Sequence, residues 1–538
     1  MTYTAHVDTF ARDRLPPPEA QPEFLFELPE LRLPERMNCA TELLDRHVAE
    51  GRGARPALRD GEGRAWSYAE LQAQANRIAN VLTRDLGVVP GNRVLLRAAN
   101  KPMLAACWFA VMKAGAIAVA TMPLLRAKEL SQIIAKGQVT HALCDAALAA
   151  ELRAAQAQTP VLREVVLFGA GAPEGLEARM ARQPDRFDNV DTARDDTCVL
   201  AFTSGTTGQP KATMHFHRDV IASCVCWPPH HLHANADDVF IGSPPLAFTF
   251  GLGGLLLFPL RIGAATLLVE RGTPEELLGI VAAHRASVLF TAPTMYRALA
   301  PLAAQNRPAS LRKCVSAGEA LPAATRKLWK DATGIEIIDG IGSTEMFHIF
   351  ISHDEATARP GATGKPVPGY RACVMDDAGR PLPPGRVGHL AVKGPTGCRY
   401  LADPRQANYV RDGWNYTGDA YLVDEDGYFV FQARSDDMIV SAGYNIAGPE
   451  VESALLMHPA VLECGVVGLD DAERGQIVTA FVVLKPGHAA DAAMTGELQG
   501  FVKRTIAPYK YPRSIRYLPA LPRTETGKLQ RFRLRTLT

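Results

Sequence analysis

Thr203-Ser-Gly-Thr-Thr-Gly-Gln-Pro-Lys211 is the stretch from which the chain is read. It follows the apolar run Thr197–Phe202, which has the make-up of a buried strand, and it leads into a helical segment. Gly205 and Gly208 let the backbone come close to a polyphosphate, the hydroxyls of Thr203, Ser204, Thr206 and Thr207 can donate to it, and Lys211 adds positive charge. Two residues rather than four separate the glycines, and Gln-Pro stands before the lysine, so this is not the Walker A pattern. A Ser/Thr/Gly linker has a similar composition, but neither the preceding strand nor the closing Pro-Lys belongs to a linker.

Outward from this loop, short apolar runs alternate with helical segments. Trp66 to Leu86 has helical spacing behind Ser67, which can cap it; Arg93 to Arg97 reads as a strand, Met103 to Ala114 as a helix, and Ala116 to Ala120 as a strand. Thr197–Phe202, Ala264–Val269, Val288–Thr291 and Lys313–Ser316 repeat the strand pattern. The fold class expected is mixed α/β, a large body of helix-covered, largely parallel sheets. After Gly361 the texture becomes β-rich, with Ala372–Met375, Gly388–Lys393 and Gly427–Phe431 between tight turns. The expected division is an N-terminal arm at 1–37, a large domain at 38–435 with its β-rich subdomain at about 361–435, and a small α+β domain at 436–538. The Pro-rich arm should wrap the body without taking part in chemistry.

The chain has 538 residues, 47% of them hydrophobic, and its 58 Lys and Arg balance 57 Asp and Glu, so no net field favours nucleic acid or an anionic membrane. The polar N-terminus lacks the order of a secretory signal, and no apolar run is long enough to span a bilayer, so a cytoplasmic protein is expected. Ten scattered cysteines fit reduced thiols. His215, His217, Cys224, Cys226, His230, His231 and His233 cluster like metal ligands, but Cys-x-Cys with irregular histidines is not the spacing of a structural zinc site. They are expected to be ordinary helix and loop positions.

Further along, Asp339-Gly-Ile-Gly-Ser-Thr-Glu345 is a Gly-rich turn ending in a carboxylate, which alone could be a helix N-cap box. Tyr416-Thr-Gly-Asp419 alone would be a hairpin turn, and Lys528 alone a surface lysine.

In order, these segments resemble the signatures of the adenylate-forming superfamily of acyl- and aryl-CoA ligases, peptide-synthetase adenylation domains and luciferase. The resemblance implies that ATP and AMP are held by Thr203, Ser204, Gly205, Thr206, Thr207, Gly208 and Lys211, by Gly318, Glu319 and Ala320, and by Asp339, Gly340, Ile341, Gly342, Ser343 and Thr344. Thr344 would meet the α-phosphate, Glu345 would hold Mg²⁺, Asp419 would grip the ribose and Arg434 would contact the nucleotide. Arg434-Ser-Asp-Asp through Gly443 and Tyr444 resembles the family's hinge, with Asp436 the pivot and Gly443 lining the channel for coenzyme A. Pro522-Arg-Thr-Glu-Thr-Gly-Lys528 resembles the loop of the catalytic lysine. Val440 stands where many members carry a second lysine.

The resemblance also locates an acid pocket. Ala317 and Gly318 would admit a flat ring, Phe248 and Phe250 could pack on it, and His348 and Ile349 would complete the lining. Gly-Ser-Thr-Glu-Met-Phe-His348-Ile349-Phe resembles benzoate-CoA ligases, while Ala212-Thr-Met-His-Phe-His-Arg-Asp219 and Ala247-Phe-Thr-Phe-Gly-Leu-Gly253 look most like 2-aminobenzoate-CoA ligases. The expected activity is AMP-forming ligation of a small aromatic acid, best 2-aminobenzoate, to coenzyme A, with ATP and Mg²⁺ required. The rivals are a benzoate ligase of broader specificity, an enzyme loading a carrier protein, and a silent AMP-binding module; a homodimer is compatible with the sequence.

Overall fold

The computed structural model describes residues 3–203, 210–270, 272–434, 437–441, 444–471, 474–523 and 529–537. Ser204, Gly205, Thr206, Thr207, Gly208, Asp436, Gly443 and Lys528, all singled out above, lie outside the described residues.

Two large sheets form the body. One has six strands in the spatial order Glu164–Phe168, His141–Asp145, Arg93–Arg97, Ile117–Thr121, Thr197–Thr203 and Lys211–Phe216. All its pairs are parallel except the last, in which the strands flanking the Ser/Thr/Gly loop run antiparallel, Thr203 opposite Lys211. The other has nine strands with a parallel centre, Val239–Gly242, Ala265–Leu268, Val288–Thr291, Lys313–Ser316 and Ile337–Gly342 among them, and antiparallel edges. Parallel strands buried on both faces need helices over them, and Tyr68–Asn80 and Pro102–Lys113 supply two, packed on each other in the main core. The first begins as expected: the Ser67 hydroxyl accepts from the Glu70 backbone N–H while Glu70 reaches back to the Ser67 N–H.

A third, antiparallel sheet contains Arg371–Met375, Gly388–Lys393, Val410–Arg411, Trp414–Val423 and Phe429–Arg434. A fourth, built from Ile439–Ser441, Tyr444–Ile446, Val461–Asp471, Gly475–Leu484 and Ser514–Tyr517, carries its own core with the helices Gly448–Leu456 and Ala492–Thr505. The mixed α/β class is therefore observed. Two local expectations change. Asp339–Glu345 opens no helix, because Ile337–Gly342 and Ile349–Ser352 pair antiparallel across the turn it makes. Tyr416–Asp419 lies inside the strand Trp414–Val423 rather than at a turn, its ladder continuing on both sides.

The arm winds along the body in short 3-10 turns and isolated bridges, with Leu25 N–H donating to the Gly394 carbonyl. Its Phe24 ring also covers a buried arginine of the site, described next.

Candidate active site

Both strand-loop units deliver their polar ends to one place. The Lys211 ammonium, where the chain leaves the Ser/Thr/Gly loop, donates to the Tyr400 hydroxyl at 2.8 Å and lies 3.5 Å from Glu345 Oε1. Tyr400 in turn donates to the same Glu345 oxygen at 2.5 Å. Burial, and then the Glu345 carboxylate, push the Tyr400 phenol far above its ordinary pKa, so it is a fixed donor. Glu345 Oε2 takes no hydrogen bond among the described residues.

A second chain of contacts holds this turn from behind. His215 Nε2 is 2.8 Å from the Thr344 carbonyl, and its Nδ1 lies 3.7 Å from Asp219 Oδ2. Asp219, fully buried, accepts from Arg399 at 2.8 Å. Burial alone would raise the Asp219 pKa, but Arg399, with His215 and Arg218, holds it well below the usual carboxylate range. The Arg399 guanidinium is sandwiched between Phe216, 4.0 Å away, and Phe24 of the arm, 4.3 Å away. Phe347 closes the turn at φ +70°, rare for a bulky residue, with its ring edge-on to His215 at 4.9 Å.

Asp339 is almost fully buried in the middle of the strand Ile337–Gly342. Burial pushes its pKa up to about 7 against the opposing effects of Arg326 and the Gly340 N–H, and its Oδ1 has no partner. Its backbone N–H meets His353 Nε2 at 3.3 Å, the same nitrogen that accepts from Arg326 at 2.9 Å. Across the third sheet Asp419 stands directly opposite Arg434, which donates to it at 2.9 Å. Burial raises the Asp419 pKa and Arg434 opposes that rise.

Gly318 has φ +93°, a conformation a side chain would strain, and the next residue, Glu319, lies 3.8 Å from Arg523. Arg523 also forms an isolated bridge with Leu529, so Glu319 in the body is in contact with the C-terminal segment.

Beside the Glu345 turn, His348 is buried in a box of rings: Phe258 at 4.5 Å, Trp227 and Phe250 each at 5.8 Å, with Phe290 tilted against Phe250 at 5.8 Å. Burial holds the His348 pKa down at about 3, so the ring is neutral, and of polar groups it feels only the Phe250 backbone, with no well-aligned hydrogen bond on either nitrogen. Gly253 is its floor: a Cβ there would sit 2.4 Å from His348 Cδ2. Ala317 and Ile349 are buried. Phe248 is half-buried, and no ring contact joins it to the box among the described residues. Tyr400, Arg399, Trp227, Phe258 and Phe290 were missed from the sequence, because nothing in their local motifs marks them.

The Lys211 ammonium and the Glu345 carboxylate thus meet at one tyrosine, with an Asp–Arg pair on the neighbouring sheet. The comparisons give the family. The AMP-binding enzyme family model matches residues 45–400, and the AMP-binding enzyme C-terminal domain model matches 450–528. A benzoate–CoA ligase of Thauera aromatica is 36% identical over 94% of this chain and 97% of its own length. A crystal structure of an anthranilate CoA ligase in complex with anthranoyl-AMP superposes with a TM-score of 0.90 at 34% identity, covering 95% of this chain and 98% of the other. A benzoate CoA ligase from Burkholderia xenovorans LB400 superposes at 0.85 with 33% identity, covering 93% and 100%. The chain belongs to the AMP-binding enzyme family, in its adenylate-forming aryl-CoA ligase branch.

Proposed function

We propose that this protein joins a small aromatic carboxylic acid, 2-aminobenzoate in the first place, to coenzyme A through an acyl-adenylate. The observation that carries the reading is the Lys211–Tyr400–Glu345 contact, which draws the end of the Ser/Thr/Gly loop and the Glu345 turn together beside the His348 box.

The acid carboxylate attacks the α-phosphorus of ATP and pyrophosphate leaves; the thiol of coenzyme A then attacks the acyl carbon and AMP leaves. Two anions must meet in the first step, so positive charge and donors at the phosphates are the main requirement. Lys211 supplies charge and Thr344, half-buried, a hydroxyl. Asp419, held by Arg434, accepts from the ribose, and the free acceptor on Asp339 receives the amino group of adenine. Mg²⁺ fits Glu345, whose Oε2 is a hard oxygen donor outside the Tyr400 bond. When bound, the ion neutralises charge on the phosphate oxygens. Lys528 completes the first step, and rotation about Asp436 replaces it with the Gly443–Tyr444 segment for the second.

Neutral His348 has one lone pair free in an aromatic box, and an ortho-amino group is a donor that matches it. The similarity to the anthranilate CoA ligase structure supports this reading, while that to the benzoate ligases favours an unsubstituted or more loosely read ring. Thioester formation from a panel of aromatic acids, followed by mass, tests it. The expected result is a higher kcat/KM for 2-aminobenzoate than for benzoate, a preference lost in His348→Phe; a much higher value for benzoate overturns the amino-specific reading. Lys528→Ala should stop adenylation while leaving thioester synthesis from a supplied acyl-adenylate, and equal loss of both half-reactions refutes its assigned role.

A further inference from the structure

Cys39, Cys198 and His217 come from three separated stretches and meet in the interior, all of them 0–1% exposed. Their candidate ligand atoms lie within 4.8 Å of one another, with Cys39 Sγ 3.2 Å from His217 Nδ1. A zinc ion held at about 2.3 Å from sulfur and about 2.0 Å from nitrogen spaces its donors roughly 3.5 Å apart, so small side-chain shifts suffice.

The backbone aims these groups. In the hairpin that carries the Ser/Thr/Gly loop, Thr197 pairs with Phe216 and Val199 with His215, leaving Cys198 as the extra residue of a bulge. His217 follows the last rung and begins the helix His217–Cys226. Cys39 lies where the arm joins the body, and its backbone N–H points at His217 Nδ1 from 3.2 Å. A further imidazole, His6 of the arm, is buried with its Nε2 unpartnered.

We propose that Cys39, Cys198 and His217 form a binding site for a thiophilic divalent cation, Zn²⁺ in particular, that ties the root of the phosphate-loop hairpin to the start of the body. The ion takes the place of the thiol protons, which leave to solvent as it binds. No step of the ligase reaction passes through it; its effect is to clamp the hairpin.

The test is metal analysis of the full-length protein purified in a phosphine reductant without chelator from zinc-supplemented cells. The expected result is about one zinc per chain, the stoichiometry of a single site. Protein from cobalt-supplemented cells should show thiolate-to-cobalt absorption in the near ultraviolet, absent in Cys39→Ser and Cys198→Ser. Should those variants fail to fold, His217→Gln, which keeps both thiols, should lower the zinc content, and the wild-type metal content needs no variant. Substoichiometric zinc with free thiols, or a 2 Da mass loss that reveals a Cys39–Cys198 disulfide, overturns the proposal.

Discussion

Tyr400 donates to Glu345 at 2.5 Å from a position 55 residues further along the chain, and the same hydroxyl accepts from Lys211. One phenol thus sets the distance between the Lys211 ammonium and the Glu345 carboxylate, the group proposed to hold Mg²⁺.

Tyr400→Phe keeps the ring and removes only that hydroxyl. It should lower kcat/KM for MgATP by about 10-fold or more, the weight of one hydrogen bond to a charged group. The KM for the aromatic acid should stay as it is. Pyrophosphate release measured against ATP and Mg²⁺ concentration checks both; an unchanged kcat/KM would remove Tyr400 from the site.

Gly253 leaves no room beneath His348, since a Cβ would stand 2.4 Å from Cδ2 and 2.7 Å from Nε2. Gly253→Ala should therefore raise the KM for the aromatic acid by about 10-fold, the scale of a modest overpacking cost. ATP binding should be spared, and separate titrations of the two substrates decide.

Asp219→Asn leaves Arg399 buried without its counter-charge, at an expected cost of about 3–5 kcal/mol to be read by denaturant unfolding. The pH dependence follows from the lowered Asp219 pKa. Its contribution is complete above the unfolded carboxylate value of about 4 and is lost as pH falls below that value, so the variant should show a flatter acid limb.

Asp339 has the opposite sign. Its pKa is raised to about 7 in the folded chain, so its stabilising contribution is whole below the unfolded value and disappears as pH rises towards 7. Over that window the wild type should lose up to about 1.4 kcal/mol per pH unit relative to Asp339→Asn. The KM for ATP should fall as pH rises through about 7 in the wild type, where the carboxylate forms, and stay flat in the variant.

Much of this protein could be read locally. Val288–Thr291, Lys313–Ser316 and Gly388–Lys393 have the strand bounds that their apolar runs imply, and Ser67 caps the helix it precedes, because strand pattern and capping depend on neighbours within a few residues. The ordered motifs likewise carry their chemistry in short spans, with Asp419 and Arg434 meeting across one hairpin. Tyr400, Arg399 and Trp227 were not legible, since each acts through partners that only packing supplies: Glu345 for the first, Asp219 for the second, the His348 box for the third. The histidines and cysteines between 215 and 233 make the same point. Their spacing speaks against a local metal site, yet one of them, His217, meets Cys39 and Cys198 from distant segments. The sequence by itself determined the α/β alternation and the strand Thr197–Thr203, because backbone periodicity is a property of contiguous residues. Tertiary structure alone decided how the strands Thr197–Thr203 and Lys211–Phe216 are anchored, because the tyrosine, the buried arginine and the cysteine–histidine cluster are brought to them by chain crossings that no local pattern encodes.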